Sequence, residues 1–538
     1  MKQNFTPSKE QIDYILSFCS NRYGWTPTPE QLSFIAHIVY GRGNLIGKGV
    51  AGCGKSKTME MALKCAHSIN PRMWSVYLVF NKKNQEEFSE RMRGVNQCCV
   101  STMHSLGNQA LRKAFGSRVG KPNNLRWSKW FDRNADYLCP IWGTLTQQAR
   151  ADYKDMVLDL FQYSRLELLD GTDCDAIVSV GALHGIKSQN GEIQCCAKML
   201  QEAATLFPED GCFDFTDMIY IPCMNPSVRA KVFRPAIVIG DECQDFSKAT
   251  QTLLKIASER GRWIAVGDPK QAINGFAGSM CDSYEKLYNE ANTAYELTYN
   301  FRCGKVICAE AQKLVPELKA FPKNCEGEIT HVKDLKGVQI GDLILCRKTA
   351  PLISLCLKFM AKGIPANVVG NDIAASISKL IEKVCKGKKK SVNPSIYELY
   401  KYLDDEYKKL ENVCLSNGQS ADCPQLQTLR DKIEIIHIIG DEVGVVKEIV
   451  TKLQAITQTI KAGDESKYVR FSTVHRAKGA EAPIVYIVAP DKLPLYWPDQ
   501  QDWEAEQEQN LLYVAITRAM KRLTWVDVPE KQLGSIEL

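Results

Sequence analysis

The chain of 538 residues is predicted to be an α/β protein whose parallel sheets are organised around a phosphate-binding loop. Three stretches predict this. Gly49-Val50-Ala51-Gly52-Cys53-Gly54-Lys55-Ser56 is a full match to G-x-x-x-x-G-K-[ST]. The apolar run Ala236-Ile237-Val238-Ile239-Gly240 delivers Asp241-Glu242 at its tip, and a further run, Trp263-Ile264-Ala265-Val266, ends in Gly267-Asp268-Pro269-Lys270-Gln271. Polar groups at the carboxyl ends of buried strands are where α/β proteins hold their ligands.

The loop's chemistry follows from its residue types. Glycines let backbone N–H groups turn inward around an anion, Lys55 reaches the β- and γ-phosphates, and the Ser56 hydroxyl completes a Mg²⁺ site. Val50, Ala51, Gly52, Cys53 and Lys57 belong to the same set of nucleotide contacts. Before the loop, Leu45-Ile46 reads as a short buried strand. After it, Met59, Ala62, Leu63 and Ala66 recur at helical spacing until Asn70-Pro71. That helix points its positive end at the phosphates. In such a site Asp241 holds Mg²⁺, Glu242 takes a proton from the attacking water, and Gln271 senses the γ-phosphate.

A hydrophobic content of 45% and a charged content of 24% are those of a soluble globular protein, with room for two to four domains. The net charge of +6 permits a nucleic-acid partner without demanding one. The start of the chain leads into polar sequence with no apolar signal region, and no apolar run approaches membrane-spanning length. The expectation is a non-secreted, non-membrane protein, cytoplasmic or nuclear. Cysteine is plentiful at 21, but the count is odd and no C-x-x-C pair occurs, so free thiols in a reducing compartment are expected. Cys53 stands apart only by position, since its oxidation would block the loop.

Taken in order, Thr26-Pro27-Thr28-Pro29-Glu30-Gln31 precedes an apolar helical stretch, and the Gln31 amide suits an adenine edge. Trp74 to Phe80 reads as a buried strand followed by Asn81. Val100 to Ser105 reads as another strand end, with Thr102 and His104 as donors. Residues 110–204 are helical in pattern and early on interleave Arg112, Lys113, Arg118, Lys121, Arg126, Trp127, Lys129 and Trp130. These either grip a nucleic acid or form a solvated basic face over buried Trp residues. Gly341 to Arg347, Ala366 to Gly370, Ile484 to Val488 and Leu523 to Val526 read as strands. A helical insertion at 377–465 carries Lys386, Lys388, Lys389 and Lys390, read as a solvated loop.

The phosphate loop, the Asp241 and Gln271 strands and three later stretches, in this order, resemble the superfamily 1 helicases of the UvrD/Rep/PcrA type. The later stretches are Leu297-Thr298-Tyr299-Asn300-Phe301-Arg302, Phe471 to Glu481, and Leu512 to Ala519 with Arg518. The likeness runs from about residue 26 to 527; Phe80-Asn81-Lys82 is closer to the F-box helicase branch.

The resemblance implies two RecA-like, parallel-sheet P-loop motor domains with two mainly helical inserted subdomains. One motor domain would comprise 1–109 and 205–295 with its insertion at 110–204; the other, 296–376 and 466–538 with a reduced insertion at 377–465. It also implies roles. Gln31 reads adenine and Phe301 stacks on it, Gly49 to Ser56 hold ATP, and Gln271 couples the γ-phosphate to DNA. Arg302 and Arg518 act as arginine fingers, while Gly479 and Glu481 meet the nucleotide. DNA would be touched by Phe80, Asn81, Thr102, His104, Phe276, Thr473, His475, and by Tyr496 or Trp497 at the strand-separation point. The third motif departs from the family at Ile273-Asn274-Gly275-Phe276-Ala277, keeping one ring at Phe276.

The expected activity is ATP- and Mg²⁺-dependent movement on single-stranded DNA, 3′→5′, by a monomer that unwinds tailed duplex. A 5′→3′ helicase and an ATPase that remodels protein–DNA complexes without processive unwinding remain the alternatives.

Overall fold

The computed structural model describes residues 5–538 apart from 187, 206, 209–210, 274–281, 371, 386–393, 417–419, 459, 461–463 and 499, and apart from the side chain of 148. Asn274 to Ala277 and the lysines from Lys386 to Lys390 therefore lie outside the described residues. The chain divides into two compact units: Met1–Val50 with Gly54–Thr298, and Ala51–Cys53 with Tyr299–Leu538.

The first unit is built on strands β1 (Leu45–Gly49), β2 (Ser75–Val79), β3 (Cys98–Thr102), β4 (Ile237–Asp241), β5 (Arg262–Gly267) and β6 (Thr293–Leu297). They lie in the order β3-β2-β4-β5-β1-β6, with every neighbouring pair parallel. Side chains alternate between faces along each strand. Val76, Leu78, Val238 and Ala265 enter one core, while Tyr77, Val79, Ile239 and Val266 enter the other. With both faces covered, the strands read as apolar runs without polar alternation. Although β1 and β2 are consecutive in sequence, β4 and β5 lie between them. The carboxyl ends of β1, β5 and β4 are therefore neighbours, with Lys48 in register with Gly267 and Asp241 with Val266. This is the switch point where open parallel sheets bind ligands.

Between β3 and β4 the chain is helical, from Met103–Phe115 through Arg126–Leu138, Gln147–Leu166 and Asn190–Ala203 to Asp217–Met224. Phe131, Phe161 and Met199 from these helices join the same core as Val76 and Val238. A buried charge cluster ties them together. Arg126 Nη1 donates to Asp217 Oδ2 at 2.5 Å, Arg165 Nη1 to Asp217 Oδ1 at 2.7 Å, Arg165 Nη2 to Asp214 Oδ2 at 2.9 Å, and Trp127 Nε1 to Asp217 Oδ1 at 3.0 Å.

The sequence left open whether this basic, aromatic stretch grips nucleic acid. For Arg126 and Trp127 the buried alternative holds, because both side chains are spent on Asp217 inside the core. Arg112, Lys113, Arg118, Lys121 and Lys129 remain on the surface. Removing Asp217 would take a buried carboxylate partner from Arg126 and from Arg165, the latter keeping Asp214. Asp217→Ala is therefore expected to destabilise the protein by about 3–5 kcal/mol, read as a lower urea midpoint.

One expectation about secondary structure is corrected. His104 is not at a strand end: β3 stops at Thr102, whose Oγ1 accepts the Ser105 N–H at 3.1 Å and caps the helix Met103–Phe115. A hydroxyl that satisfies an orphan helix amide starts the helix one residue before the imidazole.

The second unit contains the short parallel pair β7 (Tyr299–Asn300) and β8 (Lys319–Ala320). Its main sheet is made of β9 (Glu328–Val332), β10 (Leu343–Cys346), β11 (Ala366–Val368), β12 (Val469–Thr473), β13 (Ala482–Val488) and β14 (Ala519–Val526). The order is β11-β12-β10-β13-β14-β9, again parallel throughout. Between β11 and β12 run the helices Asp372–Cys385, Ile396–Ser416, Pro424–Val443 and Val446–Ile456. Their Ile377, Leu399, Ile436 and Leu453 share one core with Ile344, Val368 and Phe471 of the sheet. Each unit thus has the RecA-like parallel sheet that the motifs imply.

Candidate active site

The phosphate loop leaves β1 and enters the helix Lys55–Ile69 through two left-handed glycines, Gly52 at φ 66° and Gly54 at φ 77°. A side chain at either position would be strained. Lys55 folds back over the loop, its Nζ donating to Gly49 O at 3.3 Å. Lys57, expected among the nucleotide contacts, pairs with Glu60 at 3.4 Å. Gln31 is buried in the first turn of the helix Pro29–Tyr40. Its Oε1 accepts the Thr28 N–H at 3.0 Å in a reciprocal cap that fixes the amide's position.

Asp241 ends β4 in full burial, and the Tyr77 hydroxyl donates to its Oδ2 at 2.7 Å. Tyr77 also hydrogen-bonds Ser56, so the two residues expected to hold a metal meet at one phenol. Ser56 and Asp241 are hard oxygen donors, and two protein oxygens suit Mg²⁺, which takes its remaining ligands from water and phosphate. Among the described residues no group of three or more His, Cys, Asp or Glu could hold a metal. Burial, and secondarily the neighbouring Glu242, push the Asp241 carboxyl up to about 6, against the opposing pull of Tyr77 and Lys55.

Glu242 follows in a left-handed backbone conformation, φ 55°, unusual for a residue with a side chain. Its carboxylate accepts from Gln244 Nε2 at 2.6 Å. Gln244 Oε1 in turn accepts the Asp268 N–H at 3.0 Å, and Asp268 Oδ2 accepts from Gln271 Nε2 at 2.7 Å. One chain of hydrogen bonds, passing through the Asp268 backbone amide, therefore runs from Glu242 to Gln271. Sequence reasoning missed Tyr77, Gln244 and Asp268 as site residues. The only signal was a polar atom within, or just after, an apolar strand.

In the second unit, Arg302, Glu481 and Arg518 come together around Thr517. Arg302 Nε meets Glu481 Oε2 at 2.5 Å and its Nη1 donates to Thr517 O at 3.4 Å. Arg518 is only 1% exposed and donates to Val514 O at 3.0 Å, Ala480 O at 3.2 Å and Thr517 Oγ1 at 3.2 Å. Gly479, at φ 83°, turns the chain toward Glu481. The Phe301 ring lies 4.7 Å from that of Phe321. The loop tip Ala51–Cys53 groups with this unit. The Ala51 N–H donates to Tyr513 Oη at 2.8 Å, Asn300 Nδ2 donates to Ala51 O at 2.7 Å, and the Phe301 N–H donates to Gly52 O at 2.9 Å. Tyr513, inside the apolar spacing of a helix, gave no sign of this in sequence.

The expected DNA contacts fall in separate places on each unit. Phe80 follows β2 and is 50% exposed, and Asn81 caps the next helix by accepting the Asn84 N–H at 2.9 Å. Thr102 pairs in register with Val79 on the adjacent strand, and His104 stands edge-on to Phe215 at 5.6 Å. These four residues therefore share one end of the first sheet. On the second unit Thr473 ends β12 and His475 follows. Burial, with Arg347 and Arg476 nearby, pushes His475 down to about 3, so it is a neutral imidazole at ordinary pH. Glu508 clamps Arg347 at 2.6 Å and accepts the Leu495 N–H at 3.0 Å, steadying the stretch before Tyr496 and Trp497. Tyr496 is 56% exposed while Trp497 is half-buried. Phe276 lies outside the described residues.

Two RecA-like sheets in one chain, with a phosphate loop and acidic strand tip on the first and paired arginines on the second, define an ATP-hydrolysing helicase motor of superfamily 1. The model of the UvrD/REP helicase N-terminal domain matches residues 28–292, and that of the UvrD-like helicase C-terminal domain matches residues 280–527. The chain belongs to the UvrD/REP helicase family and is an ATP-dependent DNA helicase of the UvrD/Rep/PcrA type.

Among curated relatives, the ATP-dependent DNA helicase PcrA of Staphylococcus aureus is 23% identical over 610 aligned positions, spanning 87% of this chain and 79% of the relative. A probable DNA helicase of Mycoplasma pneumoniae is 22% identical, spanning 89% of this chain and 80% of its own. PcrA of Staphylococcus epidermidis is 22% identical over 88% and 80%. No helix among the described residues is long and apolar enough to cross a membrane.

Proposed function

We propose that this helicase moves 3′→5′ along single-stranded DNA as a monomer and separates tailed duplex, using Mg²⁺-ATP to alternate between two grips. The observation that carries the reading is the hydrogen-bonded path from Glu242 through Gln244 and the Asp268 backbone and side chain to Gln271, which joins the hydrolytic carboxylate to the residue leading into the divergent third motif. Lys55 binds the phosphates, and Ser56 and Asp241 hold the cation, which supplies charge neutralisation at the phosphates. Glu242 accepts the proton of the attacking water. Arg302 and Arg518 stabilise the transferred phosphoryl group, Gln31 and Phe301 hold the base, and Glu481 and Gly479 meet the sugar side of the nucleotide. Phe80, Asn81, Thr102, His104, Thr473 and His475 bind the strand, and Tyr496 or Trp497 stacks at the fork.

The test is unwinding of 3′-tailed against 5′-tailed duplexes, of DNA and of RNA, with Lys55→Ala as the inactive control. Unwinding of the 3′-tailed DNA alone supports the proposal. Preference for the 5′ tail reverses the polarity, and DNA-stimulated hydrolysis without strand separation establishes a remodelling ATPase instead.

The Asp241 assignment makes a pH prediction. Its carboxyl titrates upward of the usual range, so it is protonated below about pH 6 and ionised above. Only the ionised form holds a cation, and one unit of pH is a factor of about ten in its population below the midpoint. Apparent Mg²⁺ affinity in the ATPase assay should therefore fall by about fivefold from the midpoint near pH 6 to pH 5, and steepen toward about tenfold per unit below that. A flat Mg²⁺ requirement across that range would remove Asp241 from the metal site.

A further inference from the structure

We propose that Cys414 and Cys423 are a disulfide-forming pair that staples the tip of the hairpin made by the helices Ile396–Ser416 and Pro424–Val443. Their sulfurs stand 3.5 Å apart, van der Waals contact for two thiols, and the residues are nine positions apart in sequence. Both are buried, at 0% and 2% exposure, in a small apolar cluster with Leu426 that Tyr407 and Leu410 back. Cys414 lies in the last turn of the first helix, and Cys423 is the N-cap of the second. A bond between them therefore joins two helix ends directly. The disulfide length of about 2 Å requires the sulfurs to close by about 1.5 Å, within the reach of a side-chain rotation at a helix end. No third His, Cys, Asp or Glu completes a metal site with them among the described residues. Oxidation is thus the chemistry this pair is placed to undergo.

The reaction balances with a low-molecular-weight disulfide such as oxidised glutathione. Cys423, at the positive end of a helix, attacks one sulfur of that disulfide as its thiolate. The old S–S bond breaks and one glutathione thiolate leaves. Cys414 then loses its proton and attacks the Cys423 sulfur of the mixed disulfide, expelling the second glutathione. Two protein thiols are oxidised, one glutathione disulfide is reduced to two thiols, and the two protons pass to the leaving thiolates. Burial, and then the neighbouring Cys423, push the Cys414 thiol up to about 12, which makes it the second sulfur to react.

The full chain allows a direct test, because the tryptic peptide from Leu410 to Arg430 contains these two cysteines and no others. The folded protein is incubated with oxidised glutathione, remaining thiols are alkylated in denaturant, and the digest is weighed. The expected peptide is unalkylated and about 2 Da lighter than its reduced form, as one disulfide requires. With Cys414→Ser, the same peptide instead carries glutathione on Cys423. Hydrogen exchange supplies a second readout: oxidation should slow amide exchange around the hairpin tip by about tenfold in the natural chain and not in Cys414→Ser. A peptide with both cysteines alkylated after oxidation, or one cross-linked to a different peptide, overturns the proposal.

Discussion

Arg302→Ala should lower the rate of ATP hydrolysis by about 10³–10⁵-fold while nucleotide binding changes only a few-fold. Phosphoryl transfer is catalysed mainly by charge placed on the transferred group, so a lost guanidinium appears in the rate and not in the affinity. The surroundings of Arg302 make it the cleaner of the two proposed fingers to remove. Its side chain is partly exposed, and its ion-pair partner Glu481 is more exposed still, so the carboxylate left behind stays solvated. Its backbone N–H is held independently by Asn300 Oδ1 at 2.8 Å, which keeps the local turn in place. Single-turnover hydrolysis, measured beside binding of a fluorescent nucleotide, separates the two effects. A loss in rate smaller than about tenfold would strip Arg302 of the finger role. Arg518 would give a mixed answer, since its guanidinium is buried against the carbonyls of Val514 and Ala480 and its removal also takes a buried donor from each of them.

Glu242→Gln should slow hydrolysis by about 10²–10⁴-fold and leave ATP bound and unreacted. The amide has the shape of the carboxylate but cannot accept the proton of the attacking water. Because Gln244 donates to Glu242 Oε2, the substituted amide can present its oxygen to the same donor, and the left-handed backbone at residue 242 is preserved. The strand tip should therefore fold as before. Retained turnover would show that another group takes the proton. Combined with Arg302→Ala, the losses should fall well short of multiplying, because both residues act on one transition state.

Much of the site was legible because its chemistry is local. Gly49 to Ser56 must supply turning backbone, a cation and a hydroxyl within one loop. A buried strand that ends in Asp241-Glu242 puts two acids where burial is costly unless a cation or a proton meets them there. The parallel strands were also readable as apolar runs, since sheets covered on both faces leave no room for polar alternation. What escaped were residues whose role depends on a neighbour far away in sequence. Tyr77 read as one more core aromatic in β2 until β4 brought Asp241 alongside it. Gln31 read only as an amide suited to an adenine edge until the cap at Thr28 and the packing of its helix showed it buried. Arg126 and Trp127 read equally well as a nucleic-acid grip until Asp217, distant in the chain, claimed both.

By itself, then, the sequence determined the fold class, the phosphate loop, the acidic strand tips and the family. These rest on patterns short enough to be written in consecutive residues. Only the tertiary structure decided which polar atoms are spent inside the protein and which remain for ligand. That choice depends on sheet order, with β4 and β5 inserted between β1 and β2, and on burial, which makes an unpartnered polar group too costly to leave in place.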